Sequence, residues 1–84
     1  DIYDVNTFQN INSKFEIIFL DPPYKEKRLT LLLERIVDSN ILNKDGIIVL
    51  HRHKNEKEIF PRKFKVIEEK KYGISKIIFL NYLD

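Results

Sequence analysis

The chain has 84 residues, 43% of them hydrophobic and 33% charged, with a net charge of +2 and no cysteine. That balance is too apolar for a disordered chain, and it leaves neither a disulfide framework nor a thiolate metal site. Uninterrupted apolar runs stop at four residues (Ile17 to Leu20, Ile47 to Leu50, Ile77 to Leu80), far short of the about 20 that a membrane-spanning helix needs.

Asp1 to Ser13 is polar with scattered apolar residues, a pattern that predicts a short helix or turn. Phe15 to Leu20 reads as a buried parallel strand, because its last four residues are apolar on both faces. Asp21-Pro22-Pro23-Tyr24 stops it, since two prolines cannot continue a ladder. A helix is predicted from Glu26 to Asn40, with Leu29, Leu32, Leu33, Ile36 and Val37 forming one apolar stripe. Asp45-Gly46 reads as a turn, Ile47 to Leu50 as a second strand, and Glu56 to Phe60 as a short helical turn ending before Pro61. Phe64 to Lys71 and Ser75 to Asn81 are two further strands. The loop Tyr72-Gly73-Ile74 is too short for a crossover, so this pair is antiparallel.

The fold class is therefore α/β: a β-α-β unit followed by a β-hairpin. Lys65, Glu68, Glu69, Lys70 and Lys71 mark the hairpin's first strand as an edge, whereas Ile77 to Leu80 is apolar throughout and reads as interior. The four predicted strands then lie in the order first, second, fourth, third.

Asp-Pro-Pro-Tyr carries the chemistry. At average residue usage the string occurs by chance in a chain of this length roughly once in several thousand cases. It stands at the carboxyl end of a buried parallel strand, where open α/β sheets bind ligands. An exocyclic amine on a nucleic-acid base is a poor nucleophile, because its lone pair is conjugated into the ring. Asp21 offers a carboxylate and Pro22 a carbonyl held rigid by Pro23; together they can accept both N–H bonds and aim the lone pair at a methyl donor. Tyr24 offers a flat face for an extruded base, a stack worth about 1 to 3 kcal/mol. The plainer alternative is a rigid strand-to-helix turn with Asp21 as a local cap.

Three basic clusters follow the parallel strands: Lys25, Lys27 and Arg28; Arg52, His53 and Lys54; Lys70 and Lys71. Parallel strands end on one rim, so these clusters share the end that holds Asp21 and are expected to face an RNA backbone. Arg62, Lys63 and Lys65 fall at the opposite end. His51 and His53 alternate onto one face, but no third ligand is spaced to join them, so no metal site is expected.

Phe-Glu-Ile-Ile-Phe-Leu-Asp-Pro-Pro-Tyr, Asp45-Gly46-Ile-Ile-Val-Leu, and the Lys71-Tyr72-Gly73 hairpin with its final strand closely resemble the RsmD family. These are bacterial guanine-N2 methyltransferases of 16S rRNA with a Rossmann-like fold. The resemblance implies that the chain is the C-terminal part of one methyltransferase domain, with S-adenosylmethionine as cofactor and 16S rRNA or the assembling small ribosomal subunit as partner. The lack of cysteine, of a membrane-length apolar run and of a basic-then-apolar opening fits a cytoplasmic protein.

The same resemblance places Asp1, Ile2, Asp21 and Pro23 near the cofactor, with Asp4 an equal candidate to Asp1 for the acidic residue beside its adenine. It puts the glycine-rich cofactor loop upstream of Asp1, so these 84 residues alone are expected to be inactive. The family's glutamate after the second strand is here His51. Two other functions fit the motif: an adenine-N6 methyltransferase acting on DNA or RNA, and a non-catalytic RNA-binding module that retains the fold. Without a strand on its far side, Phe15 to Leu20 is expected to be an open edge, and copies are expected to self-associate through it or through the uncovered sheet face.

Overall fold

A computed structural model describes the backbone of residues 5–9 and, beyond it, residues 15–22 and 25–83. The element order is β1 (Val5–Gln9), β2 (Phe15–Leu20), α1 (Glu26–Ser39), β3 (Leu42–His53), β4 (Phe64–Tyr72) and β5 (Ser75–Tyr82). One sheet holds all the strands in the order β1-β2-β3-β5-β4. Strands β2 and β3 are parallel, β5 is antiparallel to β3, and β4 is antiparallel to β5. The four strands expected from the sequence therefore stand in the expected order, with β5 interior and β4 at the edge. The chain is an α/β unit with a mixed sheet.

Helix α1 forms where the apolar stripe predicts it. Leu29, Leu32, Leu33 and Ile36 are buried, and Val37 packs beside them. The helix ends one residue earlier than expected, at Ser39. Asn40 adopts the left-handed conformation (φ 54°) and donates its N–H to the Val37 carbonyl at 3.1 Å, a role that asparagine tolerates better than most side chains. The stripe packs on Ile18, Leu20, Ile48, Leu50, Ile78 and Leu80, which alternate onto one face of the sheet. Burying each such side chain contributes about 1.5 to 3 kcal/mol. The other face carries Ile17, Phe19, Ile47, Val49, Ile77 and Phe79, all half-buried.

The structure corrects five further expectations about the strands and their connections. Residues 5–9 are not helical; they form β1, antiparallel to β2 from Val5↔Leu20 to Gln9↔Phe15. Val5, Thr7 and Phe8 are residues that suit strands, and the polar residues among them obscure the pattern. That pairing also covers the edge of Phe15–Leu20, so the open edge expected to drive self-association is occupied. The second strand is longer than Ile47 to Leu50, running from Leu42 to His53.

Asp45-Gly46 is not a terminal turn but a bulge inside that strand. Two steps along β2, from Phe15 to Ile17, span five along β3, from Leu42 to Ile47. The Asn43 side chain caps the bulge by accepting the Asp45 N–H at 3.3 Å. Gly46 is required there, because a Cβ would lie 2.5 Å from Leu42 Cδ1 and 2.9 Å from the Asn43 carbonyl oxygen. Finally, Glu56 to Phe60 is not a helical turn but an irregular segment. Its carbonyls are drawn to side chains instead: Lys76 donates to the Glu56 oxygen at 2.6 Å and Arg52 to the Lys57 oxygen at 3.5 Å.

The hairpin closes with Tyr72 opposite Ser75, so its turn is Gly73-Ile74. Gly73 takes φ 55° at the first central position, the pattern of a II′ turn. At the hairpin's other end Phe64 stacks on Tyr82, with ring centroids 5.3 Å apart.

Candidate active site

Strand pairing brings the functional side chains together. Leu20 of β2 pairs with Leu50 of β3, so the next residues, Asp21 and His51, stand side by side at the carboxyl end of the parallel pair. Leu20 and Leu50 face the covered side of the sheet, and alternation sends Asp21 and His51 toward the open side. His51 Nδ1 lies 3.0 Å from Asp21 Oδ1. An ionised carboxylate only accepts, so the imidazole donates through Nδ1–H. The Asp21 side chain is 73% exposed and that of His51 43% exposed, so both remain reachable by a ligand. Pro22 is buried behind them. Lys25 occupies the N-cap position of α1 and makes no side-chain capping hydrogen bond. The carboxylate thus points to β3 and a ligand-accessible rim rather than serving only the local turn. Asp1, Ile2, Pro23 and Tyr24 lie outside the described residues.

Parallel β2, β3 and β4 place Lys25, Lys27, Arg28, Lys54, Lys70 and Lys71 at the end that holds Asp21, all exposed. Lys70 Nζ is 3.7 Å from Glu68, an exposed pair that leaves its charge largely available. Lys25 and Lys27 also join Asn55, Glu56 and Lys57 around a cleft of about 510 Å³. Lys57 is an addition that sequence proximity does not suggest; it arrives because the connection after β3 folds back beside the start of α1.

Arg52 departs from expectation. Its place in the sequence groups it with the RNA-facing cations, yet it is only 4% exposed. Its Nε donates to Glu58 at 3.2 Å, and Lys76 Nζ meets the other Glu58 oxygen at 2.9 Å. The reason is strand alternation: His51 faces the open side, so its neighbour Arg52 must face the covered one, where a charge needs partners. The resulting cluster pins residues 56–58 against β3 and β5. His53 accepts the Asn55 N–H at 3.1 Å and shapes the same connection. No group of three or more potential metal ligands occurs among the described residues. None of their helices is long and apolar enough to cross a membrane.

The profile of the family described as Conserved hypothetical protein 95 matches residues 3–81. The chain belongs to this family. It is 30% identical over 76 residues to the "Uncharacterized methylase RP545" of Rickettsia prowazekii (strain Madrid E), covering 89% of this chain and 32% of that protein. It is 49% identical over 45 residues to the "Putative rRNA methyltransferase YlbH" of Bacillus subtilis (strain 168), covering 54% of this chain and 24% of that one. Among solved structures, the crystal structure of "putative methylase HI0767" from Haemophilus influenzae superposes with a TM-score of 0.70 at 22% identity, over 93% of this chain and 48% of that one. The chain thus spans about a quarter to a third of these curated relatives and about half of the solved structure. The relatives are methylases and methyltransferases by name, and the shared fold is that of a methyltransferase.

Proposed function

We propose that this chain is the carboxyl-terminal part of an S-adenosylmethionine-dependent methyltransferase whose glycine-rich cofactor loop lies in preceding sequence, and that it methylates an exocyclic base amine in RNA. The favoured target is N2 of a guanine in 16S rRNA. The observation that carries the reading is the Asp21 carboxylate: exposed, hydrogen-bonded to His51, and set at the carboxyl end of a parallel pair with two prolines and a tyrosine directly after it. The name of YlbH favours RNA over DNA, and the resemblance to the RsmD family favours guanine over adenine.

Asp21 accepts one N–H of the amine and Pro22 the other, which takes the nitrogen lone pair out of ring conjugation and aims it outward. As positive charge develops on that nitrogen, the carboxylate stabilises it and is placed to take the proton it releases. An anionic, ligand-accessible carboxylate at this rim also suits a cationic methyl donor. S-adenosylmethionine, when bound, would supply an electrophilic methyl group on its sulfonium; Asp1, Ile2, Asp21 and Pro23 are the residues that would hold it. Tyr24 stacks the extruded base, and Lys25, Lys27, Arg28, Lys54, Lys70 and Lys71 engage the flanking phosphates. The cytoplasmic small ribosomal subunit, during assembly, is the partner this chemistry fits.

In the full-length enzyme, Asp21→Ala should lower methylation of ribosomal substrate by about 10²- to 10³-fold, the loss typical of one transition-state hydrogen-bonding group. Tyr24→Phe should be tolerated and Tyr24→Ala should not. Near-normal incorporation of labelled methyl groups by Asp21→Ala would refute the mechanism.

A further inference from the structure

We propose that His51 is a positioning residue that holds the Asp21 carboxylate by one oxygen and so leaves the other aimed at the substrate amine. The inference rests on the amine-methylating role assigned to Asp21 above. Without a partner, an aspartate whose side chain is 73% exposed samples several rotamers at the end of its strand. Fixing it costs conformational entropy that an enzyme gains by meeting in advance. The 3.0 Å contact from Nδ1 to Oδ1 does so by engaging one oxygen only.

The imidazole is well supported for this task. It projects from β3 where that strand is paired with β5 (His51↔Ile77), and its side-chain neighbours on the same face and strand are Val49 and His53. Beyond His51 the strand end is tied down by the Lys54 N–H to the Ile74 carbonyl at 2.8 Å and by the Glu56 N–H to the His53 carbonyl at 3.0 Å. The donor therefore sits on a paired strand, while the acceptor stands just past the end of β2, at the first residue of the Asp-Pro-Pro-Tyr sequence. An exposed ion pair elsewhere on a surface would mean little; here its acceptor is the one carboxylate the chemistry needs.

Two measurements on the full-length enzyme decide the matter. Nitrogen-15 NMR of the imidazole should show hydrogen on Nδ1, and Asp21→Ala should shift that signal. In steady-state kinetics His51→Leu should lower kcat about 10- to 100-fold, the usual worth of a hydrogen bond to a charged group, with KM for RNA changed less than about two-fold. His51→Asn, whose side-chain nitrogen stands where Nδ1 stood, should recover most of that loss. His51→Asp, which sets a second acceptor against Asp21, should be the least active of the three. If Asp21→Ala abolishes methylation while His51→Leu keeps wild-type kcat, this inference is wrong and the assigned function stands. If Asp21→Ala itself stays active, the assigned function falls and this inference with it. A proton on Nε2 that ignores Asp21→Ala would overturn the contact directly.

Discussion

His51 turns to the open face of the sheet and meets Asp21 at 3.0 Å with both side chains well exposed, whereas Arg52 turns to the covered face and meets Glu58 at 3.2 Å with both almost dry. Each pair joins a nitrogen donor to a carboxylate at the same end of β3, one residue apart in sequence. The wet pair stays open to a ligand and adds little to stability. The dry cluster, with Lys76 sharing Glu58, holds two cations and one anion out of water and fixes the connection after β3. Charge at a sheet rim is thus of two kinds, and the pleat decides which residue belongs to which.

The contrast breaks most sharply at Glu58. Glu58→Ala takes the shared carboxylate from two buried cations, so it should destabilise the full-length protein by about 3 to 5 kcal/mol, measured as a lower denaturant midpoint at constant m-value. Asp21→Ala should do the reverse, removing activity as described above while shifting the same midpoint by less than about 0.5 kcal/mol. Equal destabilisation by the two substitutions would erase the distinction.

The basic rim gives a smaller effect. Replacing Lys25, Lys27 and Arg28 by alanine together should weaken RNA binding and flatten its salt dependence by about 0.7 in log–log slope for each phosphate no longer neutralised. The same treatment of Arg62, Lys63 and Lys65, at the other end of the sheet, should change little. Equal slopes from the two triples, in filter-binding titrations from low to moderate salt, would dismiss a directional RNA face.

Tyr82 sharpens the comparison at its quiet end. Burial raises the pKa of its phenol above 10.0, so the folded state keeps the proton that the unfolded chain releases. The stability this contributes is complete below the unfolded pKa and is lost as pH rises through the folded one. As pH rises past 10.0, Tyr82→Phe should make the alkaline fall in stability shallower than in the unmodified protein. A parallel fall in both proteins would show that the ring beside Phe64 is well hydrated.

Most of the architecture is legible in the sequence because hydrophobic pattern and chain length admit few arrangements. The stripe of α1, the short hairpin loop and the charged β4 beside the apolar β5 together imply the observed order of β2 to β5. What the sequence hides is local. Val5–Gln9 mixes strand formers with polar residues, and a run that short announces itself only through its partner β2. Asp45-Gly46 is turn chemistry in either setting, and only the register with β2 shows that it lies within a strand. Arg52 stands among exposed neighbours in sequence, although alternation along β3 sets it opposite His51. That same register is enough to pair His51 with Asp21, since Leu20 and Leu50 end equivalent apolar runs.

The bulge at Asn43–Gly46 has a bearing on how this chain can change length. Between Ile47 and His53 every residue has an assigned face, so inserting or deleting one there would exchange His51 with Arg52. The imidazole would then be buried and the guanidinium turned toward Asp21. Upstream, the bulge already carries unpaired residues, closed by Asn43 within and by the Asn81 side chain donating to the Gly46 carbonyl at 2.5 Å. Residues gained or removed at that point would leave the downstream phase intact. Length variation along β3 is therefore expected to gather ahead of Gly46 and to be absent beyond it, with the bulge acting as the expansion joint of the strand.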